Sequence, residues 1–305
     1  MRNFLFLISI TTLIYSQELV VLNSTLNHKS LSIFYNPANL DSFDTNIGVW
    51  NSSVDLDKDS WSFIKELNSN SSTLKISNLL NKNIGKTINS KAYNFSYFTP
   101  AKQDRYHWLI GYYSDMDTYF MPHSGFGSTG AMDSQIYRNS LFIATQSIRY
   151  NDISLGLNLK SNSINKTQHS YSILEMSQIH SFTKYIENRY TQKENSFDID
   201  TGINYNLSNL KLGVSLLNIS NNSTMNLSLF TNYQNFNLGV EQIDNDTRFE
   251  INRAFINNNL TISSGVFKEN LYLGIDYRYS IYNISFGSYQ DKISRKYQLN
   301  LSVNW

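Results

Sequence analysis

One pattern governs most of this chain. After about residue 90, extended segments of about ten residues recur in which every second side chain is apolar. Tyr93, Phe95 and Tyr97 form one such row, and Tyr106, Trp108, Ile110 and Tyr112 the next. Ile153, Leu155, Leu157 and Leu159 follow, then Phe197, Ile199, Ile203 and Tyr205, and so on to Tyr297, Leu299, Leu301, Val303 and Trp305. The intervening positions hold Asn, Ser, Gly, Asp, Lys or Arg, and short Asn/Ser/Asp stretches separate the rows. A period of two puts the apolar groups on one face of a strand.

An apolar strand face goes either into a soluble sandwich or against lipid. Composition favours lipid. Charged residues make up only 16% of the chain, against about 25% in ordinary soluble domains. The polar faces are small and neutral where a soluble surface carries Lys and Glu. Aromatics gather at segment ends, at Tyr97-Phe98, Tyr112-Tyr113, Tyr119-Phe120, Tyr277 and Tyr279, as in the girdles of membrane barrels. Strands in hydrocarbon must pair every backbone group, so they must close. With further segments near 46–54 and 138–150, the expected fold is an all-β transmembrane antiparallel β-barrel of about 14 strands.

Met1–Ser16 has a short basic start, an apolar stretch and a small residue at its end, the layout of a secretory signal peptide. Residues 17–45 read as an N-terminal segment outside the barrel proper, and 46–305 as the barrel. Trp61, Ile64, Leu67, Leu74, Ile76, Leu79, Leu80 and Ile84 have helical spacing, so a short helical insertion is expected near 58–88. Residues 162–195 break the alternation and fit a long loop or a helix.

The segment Phe34-Tyr35-Asn36-Pro37-Ala38-Asn39-Leu40 resembles the Asn-Pro-Ala-x-Leu stretch near the start of the long-chain fatty-acid outer-membrane transporter superfamily, which includes TraF-type and PorV-type barrels. Gly202-Ile-Asn-Tyr-Asn-Leu207 and Leu210-Lys-Leu-Gly-Val-Ser-Leu-Leu-Asn-Ile219 are similar to its paired strand pattern. The resemblance implies a barrel with an N-terminal hatch in the lumen, and places Asn36, Pro37, Ala38 and Asn39 in that plug. It also implies transport of hydrophobic small molecules or, alternatively, a non-transporting anchor in a conjugation or secretion system. Pro37 suits an irregular lumenal segment, because it fixes φ and donates no hydrogen bond.

The final row, Tyr297–Trp305, resembles the C-terminal signal by which bacterial outer-membrane barrels meet their assembly machinery, with Trp in place of the usual Phe. Outer-membrane lipid, that machinery and a hydrophobic ligand are the expected partners, and the bacterial outer membrane the expected location.

Other chemistry finds little support. Without cysteine, disulfides, thiolate metal sites and thiol nucleophiles are excluded. A net charge of +1 lacks the basic excess of a nucleic-acid binder. Gly125-Phe-Gly-Ser-Thr-Gly130 spells a dinucleotide fingerprint, but no strand–helix unit surrounds it. A Gly-rich external loop fits better, with His123 and Phe126 at a ligand entrance. The five histidines show no metal-ligand spacing. Ser124 beside His123 lacks a nucleophile elbow. No catalytic residue, cofactor or metal is expected. Asp198, Asp200, Asp276 and Arg278 fall on polar faces and read as lumen charges.

Overall fold

A computed structural model describes residues 29–43, 49–56, 58–69, 72–100, 105–124, 130–178, 192–221, 223–255, 259–267, 270–290 and 295–304. The signal-peptide segment, residues 17–28, Phe126 and Trp305 lie outside these.

The strands are β1 (Val49–Leu56), β2 (Ile88–Phe98), β3 (Tyr106–Pro122), β4 (Met132–Tyr150), β5 (Ile153–Tyr171), β6 (Gln192–Leu207) and β7 (Leu210–Leu217). They continue as β8 (Thr224–Tyr233), β9 (Phe236–Ile243), β10 (Asp246–Phe255), β11 (Leu260–Phe267), β12 (Asn270–Tyr279), β13 (Tyr282–Gln290) and β14 (Arg295–Asn304). Each pairs antiparallel with its neighbours in sequence, and β1 pairs with β14 from Val49–Asn304 to Leu56–Tyr297, closing the barrel. Helices α1 (Lys58–Ser69) and α2 (Thr73–Lys82) lie between β1 and β2, and the short α3 (Ile173–Gln178) follows β5. The break expected across 162–195 is therefore smaller, because β5 runs to Tyr171 and β6 restarts at Gln192.

One end of the barrel carries short turns. Asn151, Ser208, Gln234 and Ser280 take positive φ there, as the tight hairpins favoured by strand twist require. The opposite end carries the helices and the longer connections.

Around β7–β14 the alternation works as the sequence implies. Leu212, Val214 and Leu216 point out while Gly213 and Ser215 are buried; Phe249 and Ile251 point out while Arg248, Glu250 and Asn252 are buried. Among the described residues none covers the continuous outward band of Leu, Ile, Val and Phe, and lipid is the solvent that satisfies it.

The strands β3, β4, β5 and β6 are taller, at 17, 19, 19 and 16 residues against 8 to 11 elsewhere. About 9–11 residues suffice to span a bilayer, so these strands rise above the lipid band. Along β2–β5 the buried face changes with height. Near the turn end Leu109, Tyr113, Leu141 and Ile143 are buried toward the lumen, while Ile110 and Phe142 face out. Near the helical end Phe120, Met132, Ile136 and Tyr171 are buried instead. The register runs one-to-one without a bulge through β2–β5, so these residues share a face with Ile110 and Phe142. That outer face is covered by Phe63 and Leu67 of α1, Ile76, Leu79 and Leu80 of α2 and Met176 of α3.

Two expectations change. Tyr93, Phe95 and Tyr97 face the lumen, not lipid, because residues 31–43 supply them an apolar partner there. Of the expected girdle aromatics, Phe98, Tyr277 and Tyr279 are exposed on the outside, whereas Tyr97 and Tyr113 line the lumen and Phe120 lies beneath α1.

Candidate functional site

Residues 29–43 form two 3-10 turns, Lys29–Phe34 and Pro37–Ser42, inside the barrel. The local sequence accounts for the second turn. Asn36 is extended and its side-chain Oδ1 accepts from the Ala38 N–H at 3.0 Å, capping the turn, while Pro37 occupies a first position where its missing N–H costs nothing.

This lumenal segment has two dissimilar sides. One is apolar: Leu31, Ile33, Phe34, Tyr35, Leu40 and Phe43 pack against Tyr93, Phe95, Tyr97, Leu109, Tyr113, Leu141 and Ile143 of β2–β4. Phe34 meets Phe95 edge-on at 5.1 Å between ring centroids and Tyr113 at 5.5 Å.

The other side is polar and close-fitting. Asn36 Nδ2 donates to Asn204 Oδ1 (3.0 Å) and the Ile203 carbonyl (3.2 Å). Asn39 Oδ1 accepts from Asn204 Nδ2 (3.0 Å) and Lys211 Nζ (2.7 Å). Asn204 thus holds both Asn residues of the Asn-Pro-Ala-Asn segment. The backbone approaches β5–β7 where side chains are missing. A Cβ on Gly156 would fall 2.1 Å from the Ala38 nitrogen, and one on Gly202 would fall 2.0 Å from Asn36 Oδ1. Gly156 and Gly202 are cross-strand partners. A glycine within a strand marks such close approach, and this was the signal available for a receptor that sequence reasoning did not identify.

Further ties run around the wall. The Tyr35 carbonyl accepts from Ser215 Oγ (2.5 Å) and Asn226 Nδ2 (3.1 Å), and the Ile33 carbonyl from Asn158 Nδ2 (2.9 Å). His107 Nδ1 lies 2.9 Å from the Leu40 carbonyl, which can only accept, so that nitrogen carries a proton. The Tyr35 ring sits under the Arg248 guanidinium, 5.2 Å from its centroid, and Arg248 pairs with Glu241 at 3.2 Å. Burial outweighs the nearby cation and raises the Tyr35 phenol above its ordinary value.

The expected site residues fall in three places. Asn36, Pro37, Ala38 and Asn39 are all buried in the lumen. Asp198, Asp200 and Asp276 are buried on lumen-facing positions, but Arg278, of the same parity, is exposed near the β12–β13 turn and sits at the rim. The strand ends there, so the side chain leaves the lumen. Asp200 accepts from Lys160 Nζ (2.7 Å) and the Asn218 N–H (2.8 Å), while Asp198 accepts from the Ser220 N–H (3.0 Å) and Asn221 Nδ2 (2.7 Å). These two carboxylates anchor the β7–β8 connection. His123 lies at the helical end, its Nε2 3.5 Å from Asp133 Oδ1.

No protein-family model and no curated protein matches this sequence. Among solved structures, the toluene transporter TodX of Pseudomonas putida superposes with a TM-score of 0.55 at 9% identity, covering 92% of this chain and 94% of that one. A second TodX structure gives 0.56 over 90% and 92%. A TodX mutant described as a monoaromatic hydrocarbon channel gives 0.55 over 90% and 93%, also at 9% identity. The similarity is one of fold: a closed antiparallel membrane barrel.

Proposed function

We propose that this chain is a channel for small hydrophobic molecules in a bacterial outer membrane, closed by residues 29–43 as a hatch. The carrying observation is the aromatic lumen wall formed by Tyr93, Phe95, Tyr97 and Tyr113. Water-filled barrels have polar interiors, and an aromatic wall is of use to an apolar solute once Phe34, Leu40 and Phe43 withdraw. Burial of the solute there supplies about 25 cal/mol per Å² of apolar surface. The likeness to TodX supports the same reading. On this view the polar side of the hatch is the latch that holds the channel closed, since its hydrogen bonds can be exchanged for water.

The final strand, which pairs with both β13 and β1, is the segment we assign to recognition by the barrel-assembly machinery.

The test is equilibrium binding of radiolabelled toluene and of a labelled long-chain fatty acid to detergent-purified protein. Saturable binding of either, weakened by Tyr113→Ala in the aromatic wall, is expected. Binding that stays linear with concentration for both, in protein whose hatch is protected from protease, overturns the reading.

A further inference from the structure

The helices beside the barrel pose a separate question. They do not plug the mouth. They cover the outer face of the tall sheet, the face that lower down meets lipid. Helix α1 also begins low. Lys58 is two residues beyond Leu56, which pairs with Tyr297 of β14. Tyr297 is an exposed aromatic on the lipid side, its ring 6.3 Å from that of Phe286. Two residues reach at most about 7 Å, so α1 starts within that distance of the level where aromatics mark the membrane boundary.

Its buried stripe is Ser60, Phe63 and Leu67. On an adjoining flank, Trp61 is 59% exposed, with Lys58 and Lys65 exposed one helical turn to either side. An exposed Trp between lysines on an amphipathic helix is the composition of an interfacial helix, with the ring at headgroup depth and the ammonium groups toward phosphate. Charge agrees. Residues 58–86 hold five Lys against Asp59 and Glu66, 5 − 2 = +3, whereas the whole chain carries only +1.

We propose that this flank of α1, carrying Trp61, Lys58 and Lys65, docks onto the anionic headgroup layer of the membrane around the barrel. The occupant is lipid, because the flank continues the lipid-facing surface and carries the complementary charge. Docking makes α1 a fixed outrigger that holds the helical end of the tall sheet at one height over the bilayer. The inference rests on the membrane barrel and not on the transported molecule.

The chain has no cysteine, so Trp61→Cys gives a unique spin-label site. The full-length protein is reconstituted into phosphatidylcholine bilayers or bilayers of phosphatidylethanolamine with phosphatidylglycerol. Relative accessibility to oxygen and to a water-soluble nickel chelate then reports depth. Phe142→Cys on the lipid face and Asn209→Cys in an exposed turn are the references. The expected oxygen-to-nickel ratio at position 61 is several-fold above that at 209, higher in the phosphatidylglycerol bilayer, and lowered there by Lys58→Gln with Lys65→Gln. A ratio equal to that at 209 in both bilayers overturns the proposal and leaves the flank to a soluble partner. Equal ratios in the two bilayers overturn the assignment to anionic lipid. Quenching by brominated lipid, compared between the unsubstituted protein and Trp61→Phe, reads the same contact without a label: no difference between them also overturns it.

Discussion

The two halves of the barrel wall obey different rules. In β7–β14 each strand is about as long as the bilayer demands, the outer face meets lipid, and residues 29–43 bond to the inner face through groups such as Lys211, Ser215 and Asn226. In β2–β6 the wall also packs against other parts of the chain: the hatch on its inner face below, and the helices on its outer face above. The same alternation of residues therefore means lipid contact in one half and core packing in the other. A strand's apolar side reports that something apolar covers it, without saying whether the cover is lipid or protein.

Mutations can break or sharpen this contrast. The largest effect is expected at the aromatic wall. Phe95, fully buried against Phe34, should cost about 3–5 kcal/mol as Phe95→Ala. Phe249→Ala, on the lipid face of the short half, should cost clearly less, since lipid refills the space. Urea midpoints of the two variants in the same bilayer measure the difference, and similar losses would remove the distinction between the halves.

Height along the outer face provides the next test. Ile275→Arg, mid-strand on β12 and exposed to lipid, should destabilise by about 2–4 kcal/mol. Asn165→Arg has the same outward parity on β5 but lies above the lipid band, and a change within about 0.5 kcal/mol is expected. Folding yield into vesicles distinguishes these outcomes.

The glycine receptor comes third. Gly156→Val forces a side chain into the Pro37–Ala38 backbone, an overpacking worth about 1–3 kcal/mol. It should appear as faster proteolysis of the N-terminal segment while the barrel itself stays intact. The smallest effect, about 1–2 kcal/mol, is expected for Asn36→Ala, which loses the cap of the 3-10 turn and the bonds to β6. Hydrogen exchange at Ala38 is the direct readout.

Much of the barrel was legible in the sequence because a strand's two faces are written residue by residue. Rows such as Leu155, Leu157 and Leu159, or Leu273, Ile275 and Tyr277, point outward as their alternation implies. The helical insertion was legible too, from spacing over Trp61, Ile64, Leu67, Ile76, Leu79 and Leu80, although Phe63, the most buried residue of α1 after Ser60, lay outside that spacing. The candidate site was legible only in half. Asn36–Asn39 stood out as a segment, but their receptor did not, since Asn204 and Lys211 come together with Asn39 only when β6 and β7 pair. Arg278 illustrates the converse: its parity is that of the lumen, but its height along β12 puts it at the rim.

By itself, the sequence determined that the chain forms many antiparallel strands with one oily and one polar face, because that information is local and repeats every two residues. Only the tertiary structure decided which oily faces meet lipid and which meet protein. That choice depends on strand length relative to the bilayer and on what the chain lays against each face, and both are set by parts of the molecule far apart in sequence.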